Sequence, residues 1–218
     1  MDAEETRFLT ERHKMAESQL RSRGIREERI LEAFYETPRE RFVPPEYVRQ
    51  AYTDAALPIG YGQTISQPYI VALMLQELSP QIDHRVLDVG VGSGYQTALL
   101  ARLSGHVYGI ERIEDLTERA MNTLAALCAC NVTLCTGDGS LGWPEEAPFD
   151  RIICGAGAPD VPQAWIDQLA EGGRIVLPVG GPDAQVLLAV EKQQGQIRRR
   201  EFCDVRFVRL IGRHGWPN

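Results

Sequence analysis

The stretch Val86-Leu87-Asp88-Val89-Gly90-Val91-Gly92-Ser93-Gly94-Tyr95-Gln96-Thr97 constrains the fold of this chain more than any other. A short apolar run breaks into alternating glycines and then resumes at helical spacing, which reads as a strand, a tight turn and a helix N-terminus. Glycines at 90, 92 and 94 remove Cβ atoms that would hold a ligand off the backbone, and the helix that follows offers unpaired N–H groups and the positive end of its dipole.

The ligand of such a turn is set by its surroundings. A dinucleotide site expects Gly-x-Gly-x-x-Gly, and here Tyr95 stands where the third glycine belongs. Gly-x-Gly-x-Gly after an acidic residue, Asp88, is instead similar to the pattern of S-adenosylmethionine methyltransferases. Glu111 ends the next apolar run, Val107-Tyr108-Gly109-Ile110, where a carboxylate accepts hydrogen bonds from ribose hydroxyls and repels a 2′-phosphate. A glycine-rich turn with no ligand is the alternative for the motif taken alone, and Glu111 weighs against it.

After residue 85 strand-like and helix-like segments alternate. Strands are expected near 85–90, 106–111, 132–136, 150–155 and 173–179, with helices near 94–104, 114–129 and 162–170. That rhythm predicts an α/β fold with a doubly wound, mainly parallel sheet. Gly180-Gly181-Pro182-Asp183 then turns the chain into two further strands near 185–191 and 201–210, an antiparallel pair at the sheet edge. The N-terminal part reads as a helical extension: a charged helix over 3–22 stopped by Gly24, a second over about 26–36, and a third started by Pro68. Residues 38–67 are rich in proline, glycine and aromatics, too irregular for a regular element and too apolar for a linker, so a functional loop is expected there. The division anticipated is 1–80, helices and substrate loop packed on the core, and 81–218, the α/β core, in one globular unit.

Composition narrows the function. A formal charge of −7 disfavours a nucleic-acid backbone as partner, and Arg198-Arg199-Arg200, the one compact basic run, reads as a solvated strand end or turn. No run approaches the roughly 18 apolar residues of a membrane span, and the acidic start Met1-Asp2-Ala3-Glu4-Glu5 does not resemble an export signal. A cytoplasmic enzyme without membrane partners, monomeric by default, is the expectation. Five cysteines without a Cys-x-x-Cys pair read as reduced, mostly buried thiols rather than a metal site or disulfide framework.

In a sheet of this kind ligands sit beyond the carboxyl ends of the strands. Asp88 to Gly94, Glu111, Gly137-Asp138-Gly139 and Gly155 to Pro159 all fall there. Asp138 is a candidate acceptor for an adenine amino group, or alternatively a turn aspartate bonded to its own backbone.

At this level of detail the chain resembles the protein-L-isoaspartate O-methyltransferase family. The segments that carry the likeness are Pro38 to Pro44, Leu57 to Pro68 with Gln63-Thr64-Ile65-Ser66-Gln67, the glycine turn with Glu111, Gly137-Asp138-Gly139, and Val161-Pro162-Gln163 through Gly180. The resemblance implies methyl transfer from S-adenosyl-L-methionine, leaving S-adenosyl-L-homocysteine, to the free carboxylate of isoaspartyl residues in damaged peptides and proteins, which starts repair to aspartyl. It assigns Ser66 the catalytic position, with Thr64, Val208 and Leu210 beside it on the substrate. Gln67, Asp88, Gly90, Gly92, Gly94, Tyr95, Glu111, Asp138 and Gly139 fall to the cofactor. The chemistry agrees. A carboxylate is already ionised at neutral pH and needs no general base, and no histidine is expected near these loops. Thr64, Ser66 and Gln67 are neutral hydrogen-bonders before a proline-started helix, suited to hold an anion without neutralising it, although a serine there is also a common helix cap. One departure is Val208-Arg209-Leu210, where the family usually has Val-Pro-Leu, a segment that there helps bind the peptide backbone; Arg209 restores an N–H and adds a charge. A related carboxylate methyltransferase acting on aspartate of a peptide natural product is the nearest rival; a nicotinamide oxidoreductase and a silent nucleoside-binding module are more distant ones.

Overall fold

In the computed structural model, which describes residues 3–217, seven strands form one sheet flanked by helices. Helix α1 (Ala3–Met15) continues through a widened turn at Ala16–Leu20 and a tightened one at Arg21–Arg23, and stops at Gly24 in the left-handed region. Helix α2 (Glu28–Glu36) follows, burying Ile30, Leu31, Ala33 and Phe34. The segment expected to lack regular elements holds two 3-10 turns, Arg39–Phe42 and Pro45–Gln50, and then a hairpin of β1 (Leu57–Gly60) and β2 (Gln63–Ile65). Tyr61 and Gly62 both have positive φ, the two-residue turn that matches the twist of paired strands, and this is why so short a hairpin forms. Pro68 opens α3 (Pro68–Leu78).

The sheet begins with β3 (Arg85–Val89), α4 (Tyr95–Leu103), β4 (His106–Glu111), α5 (Glu114–Ala126) and β5 (Val132–Thr136). It continues with β6 (Phe149–Cys154), α6 (Gln163–Gln168), β7 (Leu169–Gly180), β8 (Gln185–Gln193) and β9 (Gln196–Val205). The order is β5-β4-β3-β6-β7-β8-β9, parallel from β5 to β7 and antiparallel over the last two pairings. The chain runs outward from β3 to one edge and from β6 to the other, so the switch point lies between β3 and β6, where the glycine turn and Gly155 meet. Both faces are covered. Val86 joins the cluster under α2 to α5, while Leu87 and Val89 join a second cluster around Trp165, Phe149 and Ile175.

Four expectations are corrected. The last strand is β9 (Gln196–Val205), not 201–210, because Gln194 and Gly195 both take positive φ and close a two-residue turn, so pairing starts at once. Residues 206–211 leave the sheet and run across the strand ends, where Arg209 pairs in parallel with Gly157. Arg198, Arg199 and Arg200 therefore lie within the edge strand, exposed, and discourage edge-to-edge pairing. Helix α6 ends at Gln168 and β7 starts at Leu169, since Leu169 already pairs with Phe149 before a bulge. Of the five free cysteines only Cys154 is buried; Cys128 and Cys130 are exposed where the chain turns after α5. Among the described residues no helix is long and apolar enough to cross a membrane.

Candidate active site

Three connected openings lie over the switch point. The first holds about 580 Å³ of open space walled by Gly90, Gly92, Glu111, Gly139 and Ala156, with Thr64 and residues 208–211 on the far side. A second, of about 360 Å³, is bounded by Ser66, Gly90, Ser93, Tyr95 and Gln96. The third is a groove of about 760 Å³ between Ser66, Gln67 and Ile70 on one side and residues 204–208 on the other. Thr64 and Gly155 border all three, and Ser66 borders the second and third.

The glycine turn is built as its spacing predicts, with positive φ at all three glycines. Its missing Cβ atoms do different jobs. At Gly90 the space opens toward Gly155 and Ala156 in the first cavity, whereas a Cβ on Gly94 would come within 3.1 Å of Ala120, so that position serves the packing of α4 on α5 rather than a ligand. Glu111 is 7% exposed and ends β4 at the cavity wall. Its two oxygens accept the N–H groups of Gly92 (2.9 Å) and Ile113 (3.0 Å), which fixes the carboxylate and leaves lone pairs for a diol.

Asp88 lies one layer deeper. It is fully buried and accepts hydrogen bonds from Thr97 (2.7 Å) and Gln96 (2.8 Å) in the first turn of α4. Burial drives its carboxyl up to about 6, the bonds from Thr97 and Gln96 pull it back only part of the way, and the charge of Glu111 adds a smaller push. Asp88 thus ties the strand end to the helix start, and it stands behind the cavity wall rather than in it.

Asp138 is also held by the protein. One oxygen accepts the Ser140 N–H (2.9 Å) and hydroxyl (2.6 Å), and the other accepts the Arg213 N–H (2.8 Å). Burial raises this carboxyl, but the bonds from Ser140 and the Arg213 N–H outweigh it and hold the group below its usual range. The neighbouring Gly139 lines the first cavity, and Trp165 donates its indole N–H to the Gly139 carbonyl (2.9 Å). The tail accounts for this arrangement: His214 donates its N–H to the Ser140 hydroxyl (2.9 Å), and Trp216 donates to the carbonyls of Leu210 and Gly157. A histidine therefore does reach one of the marked loops, because residues 210–216 fold back on the Asp138 turn. Nothing in the local sequence signalled that long-range contact.

The other candidates divide between the openings. Val208 lines the first cavity and the groove, and Leu210 the first cavity alone. Gln67, assigned to the cofactor side by resemblance, faces the groove and donates its amide to the Asp54 carbonyl (3.1 Å). Tyr95 is buried edge-on against Phe34 and Phe42, and the residue borders the second cavity. Among the neighbours left unassigned in the sequence are Arg112, beside Glu111 at the first cavity, and Arg39, beneath Ser66. Arg39 lies in the Pro38–Pro44 segment, but its burial was not readable there.

A nucleoside with a methionine tail fits these residues. The carboxylate of Glu111 suits ribose hydroxyls, Gly90 leaves room for close backbone approach, and the second cavity is bordered by both Gly90 and Ser66.

Comparison with known proteins agrees with this geometry. Residues 10–215 match the family described as protein-L-isoaspartate(D-aspartate) O-methyltransferase. A protein-L-isoaspartate O-methyltransferase 1 of Syntrophobacter fumaroxidans is 50% identical over 209 residues, 96% of this chain and 98% of the relative. A solved protein-L-isoaspartate O-methyltransferase superposes with a TM-score of 0.85 at 30% identity, over 94% of this chain and 67% of that one. A β-aspartate methyltransferase structure from Plasmodium falciparum, in complex with S-adenosyl-L-homocysteine, gives 0.80 at 28% identity over 92% and 98%.

Proposed function

The chain belongs to the protein-L-isoaspartate(D-aspartate) O-methyltransferase family, and from that premise we propose how its residues perform the reaction. The activity is S-adenosyl-L-methionine-dependent methylation of the free carboxylate of L-isoaspartyl residues in damaged proteins and peptides, which initiates repair to aspartyl. Bound S-adenosyl-L-methionine supplies an electrophilic methyl group on a sulfonium.

Glu111 holds the ribose, Gly90 lets the nucleoside lie against the backbone, Gly92 and Gly139 line the cavity while their Cβ positions face Ile59 and Val89, and the buried charge of Asp88 favours a cationic donor from behind the glycine turn. Ser66 and Thr64 receive the acceptor carboxylate. Their hydroxyls orient one oxygen without protonating it, while the wall at Val208 strips water from it and Leu210, expected there too, instead closes the first cavity on the donor side. Proximity and desolvation of an anion that is already a nucleophile then carry the rate. The supporting observation is that Ser66 borders both the cavity behind the glycine turn and the groove open to solvent. Residues 1–80 contribute the helices and the acceptor loop packed on the core, and 81–218 the donor-binding core, whose residues 204–208 form the second wall of the acceptor groove, in one unit. Five unpaired thiols favour a reducing compartment, so we place the enzyme in the cytoplasm, acting as a monomer on peptides and proteins rather than on nucleic acid or membranes.

The experiment is methyl uptake by an isoaspartyl peptide and its aspartyl twin. Uptake by the isoaspartyl peptide alone is expected; uptake by the aspartyl twin alone would reject the repair reading.

A further inference from the structure

Arg39 has no exposed surface. Its Nε donates to the Ala51 carbonyl and its Nη2 to the Ser66 carbonyl, each at 2.8 Å, and its guanidinium lies 4.8 Å from the centre of the Tyr95 ring. Nη1 and the Tyr95 hydroxyl complete no hydrogen bond of full geometry among the described residues, and the polar interaction left to them is the one between Arg39 and Tyr95. A buried cation normally has a carboxylate beside it, and this one has two neutral carbonyls and two tyrosines, Tyr95 and Tyr52. Glu40, an acid nearby in sequence, is taken: it pairs with Arg12 at 3.2 Å and accepts the Tyr52 hydroxyl. Among the described residues no carboxylate therefore stands beside this positive charge.

Its place in the site explains why it is kept. The fork joins the end of the loop at Ala51 to the peptide of Ser66, and its guanidinium carbon sits over the ring of Tyr95, the first residue of α4, directly after the glycine turn. One side chain thus ties the acceptor residue to the donor turn. It also draws the Ser66 carbonyl inward, so that the partial negative charge of that oxygen does not face an incoming anion.

We propose that Arg39 is a positioning residue that fixes the Ser66 peptide and supplies, from beneath it, the positive charge that keeps the acceptor carboxylate ionised once it is desolvated. This rests on the reading that Ser66 receives the acceptor. The groups facing the guanidinium are Tyr95 from α4, Tyr52 from the loop, and behind Tyr52 the Arg12–Glu40 pair, whose charges offset each other.

The test compares Arg39→Met and Arg39→Lys with the parent enzyme, measuring KM and kcat on an isoaspartyl peptide from pH 5 to 8, S-adenosyl-L-homocysteine binding by calorimetry, and thermal midpoints. Arg39→Met is expected to raise acceptor KM by about tenfold and to move the acid limb of kcat upward by about one pH unit, because a desolvated carboxylate without its cation titrates higher. Product affinity should stay within about twofold. Arg39→Lys keeps the charge and loses the fork, so its acid limb should stay in place while kcat falls. An unmoved acid limb in Arg39→Met, or a loss of product affinity matching the rise in KM, would overturn the proposal. If Arg39→Met does not fold, the lysine variant decides: a full kcat or a displaced acid limb refutes it. A parent enzyme that methylates no isoaspartyl peptide, seen before any variant is made, sinks the acceptor reading itself.

Discussion

Replacing Asp88 by asparagine should make the ligand-free protein more stable at alkaline pH and no more stable in acid. The carboxyl is fully buried and titrates at about 6 in the folded chain, against about 4 when unfolded. Below pH 4 it is protonated in both states and contributes nothing. Between about pH 4 and 6 the folded state holds a proton that the unfolded state has lost, so stability falls as pH rises; above 6 the loss is complete. Two pH units correspond to about 3 kcal/mol. An asparagine carbonyl can still accept from Gln96, and its amide can donate to the Thr97 hydroxyl, so both present bonds have substitutes. For a chain of this size the gain at pH 8 is on the order of 5–10 °C in thermal midpoint, fading to nothing near pH 4. Thermal melts of the parent and Asp88→Asn at intervals from pH 4 to 8 read this directly. A variant no more stable than the parent at pH 8, or a gain independent of pH, would refute the argument that burial of a charge is the dominant effect. The same substitution should weaken S-adenosyl-L-methionine binding more than S-adenosyl-L-homocysteine binding, since only the donor carries a sulfonium.

Three further outcomes follow from the geometry. Ser66→Ala should lower kcat by about tenfold or more while calorimetry finds product affinity nearly unchanged, as expected for a hydroxyl that orients the acceptor. Glu111→Ala strips the partner from two backbone N–H groups and the carboxylate we propose for the ribose; product binding should weaken by about 2 kcal/mol or more, with a matching loss of kcat/KM at low donor concentration. Gly109→Ala puts a methyl 2.7 Å from Val91 Cγ2 and still closer to Leu134, so about 1–3 kcal/mol of stability should disappear in a urea titration.

The local pattern was informative where neighbours in sequence are also neighbours in space. The glycine turn, the start of α3 at Pro68 and the alternation of β3 to β6 with their helices could be read because apolar spacing and glycine chemistry act over a few residues. The β1–β2 hairpin escaped because its turn is Tyr61-Gly62, and a tyrosine at positive φ is not something propensity announces. The start of β9 was misplaced for a related reason. Gln194 shares the turn with Gly195, and the arginines beyond it suggested solvent rather than an edge strand.

The sequence alone determined the donor half of this protein: a parallel sheet, a glycine turn on its switch point, and a carboxylate one strand away at Glu111. Periodicity and short-range turn chemistry suffice for those, since each is fixed by residues within one βαβ unit. The tertiary structure alone decided which side chains face the ligands and which hold those that do. Asp88 turned out to brace α4, Asp138 to anchor the tail, and Arg39 to lie beneath Ser66 with no carboxylate beside it among the described residues. The physical reason is that burial and the choice of hydrogen-bond partner depend on segments far apart along the chain, such as residues 213 and 138 or 39 and 66, and no local pattern encodes which of them will meet.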